Sequence, residues 1–131
     1  MVEVERQSRI LIVDDDERVL RTLSRILRAE SYDVVALGDP LDAVPLVESD
    51  DTLDVAIVDL MMPGLDGLEL CERIRRRRPA LEVVVMTAFG SIENAVKAMR
   101  AGACDLLTKP FPSNDAALMV GEIGEQAIFE R

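Results

Sequence analysis

Short apolar runs recur along the chain with helical stretches between them: "ILIV" at 10–13, "VAIV" at 55–58, "VVVM" at 83–86 and the shorter "LL" at 106–107. β-Branched runs of this length, with no polar residue at alternate positions, fit strands covered on both faces, as in a parallel sheet. "YDVVAL" at 32–37 predicts a fifth, more exposed strand. The alternation is therefore a strand followed by a helix, five times. Right-handed crossovers then give an α/β doubly wound five-stranded parallel sheet in strand order 2-1-3-4-5.

The intervening segments carry their own punctuation. Val19, Leu20, Leu23, Ile26 and Leu27 follow helical spacing after Asp16, which is placed to cap that helix. Asp39-Pro40 predicts the start of a second helix, and Pro45 inside it predicts a short or kinked one. Asp66 is placed to cap a third helix that buries Leu70, Cys71 and Ile74 and ends in "RIRRRRP" at 73–79. Positive charge at a helix C-terminus suits the macrodipole, so the arginine run predicts a solvated face and not a nucleic-acid patch. Ser91 opens a fourth helix with Ile92, Ala95, Val96 and Met99 on one face, closed by Gly102. A last helix is expected from about Ser113, with Ala117, Val120, Ala127 and Ile128 inward and Gly121 and Gly124 weakening it.

With 131 residues the sequence reads as one domain, 1–131 with a core at about 8–128. Its longest apolar runs are far below a membrane span, and "MVEVERQSRI" has no apolar export segment, so a cytoplasmic location is expected. The net charge of −10 opposes direct binding to nucleic acid or anionic membrane. There is no histidine, and Cys71 and Cys104 form no CxxC, which removes the usual zinc patterns and every histidine-dependent triad. Both cysteines read as reduced packing residues. Carboxylates, lysine and hydroxyls must carry any chemistry.

Doubly wound sheets bind ligands at the carboxyl ends of their strands. The residues ending the central runs are Asp14, Asp15 and Asp16, then Asp59, Thr87 and Lys109. Singly, each is an ordinary cap, turn residue or solvated charge; together they place polar groups on one rim. Crowded carboxylates repel, and an all-oxygen site without histidine suits Mg2+, with Mn2+ as a substitute. Metal, lysine and hydroxyl together fit the oxygens of a phosphoryl group in transfer.

In order and spacing, "ILIVDDD", "VDLMMPGLDGLEL", "VVVMTAFGS" and "LLTKPF" resemble the receiver domain of bacterial two-component response regulators, a flavodoxin-like (βα)5 fold. The wording "TAFGSIENAVKAMRAGACDLLTKPF" is similar to receivers of the NtrC type. The resemblance implies that Asp59 accepts a phosphoryl group from a sensor histidine kinase or phosphotransfer protein. It implies a metal site of Asp14, Asp15, Asp59 and the backbone carbonyl of Met61, and roles for Thr87 and Lys109 against the phosphoryl oxygens. Lys109-Pro110 resembles the family's cis peptide. An output domain in a longer parent chain, and a homodimer through the fourth helix, fifth strand and last helix, are further implications. Such a protein is a switch that assists its own phosphorylation and dephosphorylation, and not a turnover enzyme.

Two features depart from the family pattern. Leu106 stands where Tyr or Phe is common, and Met61 and Phe89 offer no polar group to position attacking water, so slow self-dephosphorylation is expected. The enzyme alternative is a haloacid-dehalogenase-like phosphohydrolase with Asp14 as nucleophile and Asp16 as general acid. That family needs a late acidic pair for its metal, and nothing after Lys109 supplies one. A flavodoxin-like cofactor carrier would need aromatic stacking partners, and the chain has three Phe, one Tyr and no Trp.

Overall fold

In the computed structural model, residues 8–62, 64–88 and 91–109 are described. The elements are β1 (Arg9–Val13), α1 (Glu17–Ala29), β2 (Asp33–Leu37), α2 (Ala43–Ser49), β3 (Val55–Asp59), α3 (Gly67–Arg77), β4 (Glu82–Thr87), α4 (Ile92–Arg100) and β5 (Asp105–Thr108), with a 3-10 turn at Pro40–Asp42. All strands are parallel and ordered β2-β1-β3-β4-β5, as the apolar runs predict. The expected last helix, Pro63, Phe89 and the Lys109-Pro110 peptide bond lie outside the described residues.

The strand alternation divides the core into two layers. Leu11, Val13, Ala56, Val58, Val83 and Val85 face α2 and α3, where Val47, Leu70, Cys71 and Ile74 are buried. Ile10, Ile12, Val55, Ile57, Val84 and Met86 face α1, where Leu23 and Leu27 are buried. Because both faces are covered, β1, β3 and β4 are apolar at consecutive positions between their ends, which is why they read as continuous runs. Burying a Leu or Ile side chain is worth roughly 1.5–3 kcal/mol, so these layers position the strand ends firmly. β2 is an edge strand and is less buried, with Asp33 and Ala36 exposed and only Val34 fully covered.

The expected caps form. Asp16 accepts from the Arg18 N–H, Asp66 from the Glu69 N–H and Ser91 from the Asn94 N–H. Pro45 behaves differently from expectation. The helix restarts at Ala43, which puts Pro45 in the first turn, where its missing N–H has no intrahelical acceptor to lose. The element is short because it begins late, not because proline breaks it.

The arginine run is also more engaged than a solvated face. Arg75 Nη1 donates to the carbonyls of Pro79 and Leu81, and Arg78 donates to that of Val47 in the last turn of α2 and to those of Asp50 and Asp51 just beyond it. Arg76 and Arg77 pair with Glu72 and Glu48. Unlike α3, α4 leaves its predicted apolar face open: Ile92 is 86% exposed and Val96 and Met99 are each 43% exposed, while the buried residue is Ala98.

Candidate functional site

Four strand ends deliver the site, those of β1, β3, β4 and β5. Asp14 follows β1, and its N–H donates to the Leu37 carbonyl across to β2, which fixes its backbone. Its side chain is fully buried; Oδ1 accepts from the Asp16 N–H at 2.9 Å and Oδ2 from Lys109 Nζ at 2.7 Å. Asp59 closes β3 opposite Met86, is 6% exposed, and accepts from the same Lys109 Nζ at 3.0 Å through Oδ1. The Lys109 N–H continues the ladder by donating to the Thr87 carbonyl at 2.7 Å, so β4 aims the lysine at both carboxylates. Thr87, at the end of β4, is buried.

Asp14, Asp15 and Asp59 each bring a carboxylate oxygen within 4.8 Å of the others. Asp15 is exposed, so this cluster is half wall and half opening. Burial raises the Asp59 carboxyl above its ordinary pKa; Lys109 opposes that rise and the charges of Asp14 and Asp15 reinforce it. Burial also works against the Lys109 ammonium, but hydrogen bonds to Asp14 and Asp59 outweigh it and raise its pKa. One cation thus serves two buried carboxylates and leaves a third beside them. A set of hard oxygen donors with surplus negative charge and no nitrogen or sulfur fits a divalent cation of the magnesium kind.

The structure brings together Asp14, Asp15, Asp59 and Lys109, with Thr87 on the adjoining strand end. Met61 lies two residues past Asp59 with its side chain 65% exposed. Leu106 packs, partly buried, against the core layer beneath α3 and α4. Asp16 does not join the cluster, because its carboxylate is exposed and caps α1, which holds its pKa below the ordinary value.

Sequence reasoning missed Gly67. Its N–H donates to the Leu60 carbonyl at 3.0 Å, and a Cβ at this position would lie 2.1 Å from the Asp59 carbonyl oxygen and 2.7 Å from Leu60 Cα. The start of α3 therefore rests directly on the backbone that carries Asp59, and only glycine permits that approach. Gly64, at φ +91°, makes the intervening turn in a conformation that L side chains rarely adopt. An Asp-Gly pair ahead of a helical apolar pattern was the available signal, but sequence alone does not say which backbone comes close.

Residues 10–120 match the family model for the response regulator receiver domain. The chain belongs to this family. The receiver is 39% identical over 103 residues to the transcriptional regulatory protein TcrA of Mycobacterium tuberculosis, covering 79% of this chain and 40% of that one. It therefore spans well under half the length of that relative. Among solved structures, a CheY-like receiver domain protein from Methanospirillum hungatei superposes with a TM-score of 0.90 at 29% identity, covering 96% of this chain and all of that one. NtrX from Brucella abortus superposes with a TM-score of 0.88 at 30% identity, over 96% of this chain and 29% of that one, in line with the NtrC-type wording. The receiver's place is in two-component signalling, and neither the family match nor the use of Asp16 as a cap supports the phosphohydrolase alternative. Among the described residues, no helix is long and apolar enough to cross a membrane.

Proposed function

We propose that Asp59 is the phosphoacceptor of this receiver and that a sensor histidine kinase or phosphotransfer protein is the donor. The observation that carries the reading is the Lys109 ammonium, hydrogen-bonded to both Asp14 and Asp59 at the open rim. An Asp59 carboxylate oxygen attacks phosphorus, the P–N bond to the donor imidazole breaks, and an acyl phosphate forms while the imidazole keeps the bonding electrons. Lys109, released from Asp59, follows the charge onto a phosphoryl oxygen. The Thr87 hydroxyl donates to a second one. Asp14, Asp15, Asp59 and the Met61 carbonyl would hold Mg2+, which neutralises charge on the phosphoryl oxygens when bound. This is positioning and electrostatic stabilisation, so the domain assists its own modification without being a turnover enzyme.

Met61 beside the rim offers no hydrogen-bond donor to an attacking water, which supports a slow return to the free carboxylate. An output domain in a longer parent chain, and a second copy through the α4–β5 face, belong to the same proposal. The test is intact mass after incubation with a small phosphodonor and Mg2+. A single phosphoryl gain is expected in the wild type and none in Asp59→Asn; an equal gain in both would refute the assignment. Asp15→Ala should lose Mg2+ binding by calorimetry and the mass gain together, with its melting temperature without metal held or raised. A marked drop in that temperature would show the acid to be structural.

A further inference from the structure

A second feature of the molecule lies away from the rim, on the outer flank of α1. An open cleft of about 710 Å3 runs between that helix and the edge strand β2, lined by Leu20, Arg21, Ser24, Arg25, Arg28 and Ala36. Arg18, Arg21, Arg25 and Arg28 fall at i, i+3, i+7 and i+10, a single stripe on one helix face. α1 holds these four arginines against one acid, Glu17, in a chain whose net charge is −10.

The contrast with α3 is informative. There Arg73, Arg76 and Arg77 each have a glutamate within 4.0 Å. Arg21 and Arg25 have no ion pair among the described residues, although acids are in surplus. Arg28 is occupied in another way, donating from Nη2 to the Val34 carbonyl.

That bond shapes what the cleft accepts. The Asp33 N–H and the Leu37 carbonyl bond toward β1, so by the alternation of a parallel strand the backbone groups of Val34 and Ala36 face the open edge. Arg28 covers the edge at Val34, which blocks addition of a full sixth strand. Left available are the two guanidinium groups, one helical turn apart, and an apolar floor at Leu20 and Ala36. A phosphate backbone would meet the repulsion of the whole acidic chain, whereas a short peptide engages only the local patch.

We propose that this α1–β2 cleft is a docking site for an acidic helical segment of a partner protein, two of whose carboxylates reach Arg21 and Arg25 while an apolar side chain rests on Leu20 and Ala36. The surface runs down toward the amino end of the sheet. It is separate from the carboxylates that the proposed phosphoryl transfer uses.

The test is NMR titration of the isotope-labelled protein with a synthetic helical peptide carrying glutamates four positions apart beside leucines. Amide shifts confined to residues 20–29 and 34–37 are expected, and Arg21→Glu/Arg25→Glu should weaken binding by about tenfold, as reversal of two exposed ion pairs implies. The milder Arg21→Gln/Arg25→Gln should weaken it less, with circular dichroism and the phosphoryl mass gain unchanged in both variants. Shifts that are absent, that survive the double reversal, or that a glutamine-for-glutamate peptide reproduces would overturn the proposal. So would stronger binding of a short DNA duplex to the same amides, which would assign the stripe to nucleic acid.

Discussion

At the amino end of the sheet Arg9 gathers Asp33, Asp50 and Asp54, whereas at the carboxyl end Lys109 serves Asp14 and Asp59 with Asp15 beside them. The two clusters have similar composition, but Asp50 in one and Asp59 in the other are shifted in opposite directions. Arg9 uses its guanidinium on Asp33 at 2.7 Å and on Asp50 at 3.0 Å, and its backbone N–H donates to the fully buried Asp54 at 3.0 Å. Thr52 donates to the Asp50 carboxylate, and this, more than Arg9, lowers its pKa. At the rim, burial and neighbouring acids raise the Asp59 pKa despite the lysine. At the base each acid is met by a donor of the fold, whereas the rim keeps surplus negative charge, which is what the proposed phosphoacceptor role needs. Stability and reactivity are separated along the same strands.

Several substitutions break or sharpen that contrast. Gly67→Ala forces the start of α3 and the Asp59 backbone apart, and a displacement near 1 Å at a reacting group costs about 10²-fold in rate. Phosphoryl acceptance should fall by that order while circular dichroism shows the fold retained; unchanged acceptance would mean the helix yields instead of the strand. Asp54→Ala strands the Arg9 N–H beneath the sheet and should cost about 1–3 kcal/mol in denaturant unfolding, with phosphoryl acceptance little changed. A loss of acceptance without loss of stability would erase the division between the two ends.

Asp50→Asn is a smaller perturbation, at most about 1 kcal/mol, because its partners are partly exposed. A lowered folded pKa means the contribution is present above the ordinary carboxylate value of about 3.9 and is lost as pH falls through the folded value. Wild type should therefore exceed Asp50→Asn in urea midpoint at neutral pH and converge with it in acid.

Much of this was legible in the sequence. The strands were, since burial on both faces leaves continuous apolar runs, and the helix starts at Asp16, Asp66 and Ser91 were, since caps act over three residues. That Asp14, Asp15, Asp59, Thr87 and Lys109 would meet was legible because a parallel sheet sends every carboxyl end to one rim. What escaped depends on contacts between distant segments. The spacing of Ile92, Val96 and Met99 defines a helical face but not what covers it. Pro45 was misjudged because a 3-10 turn takes up Pro40–Asp42 and the helix starts afresh at Ala43, a boundary the residue pattern does not mark. Gly67 on Asp59, Arg78 on the end of α2 and Arg9 on Asp54 join residues that only the fold makes neighbours.

The direct test of a rim held at a cost in stability is thermal unfolding of wild type and Asp59→Asn across pH without divalent metal. A raised folded pKa means that the stabilising form of Asp59 is present below the ordinary carboxylate value and is lost as pH rises through the folded value. Asp59→Asn should then melt above wild type at neutral pH, with the gap closing in acid. A variant that melts below wild type at neutral pH would show that ionised Asp59 stabilises the fold, and would contradict the account.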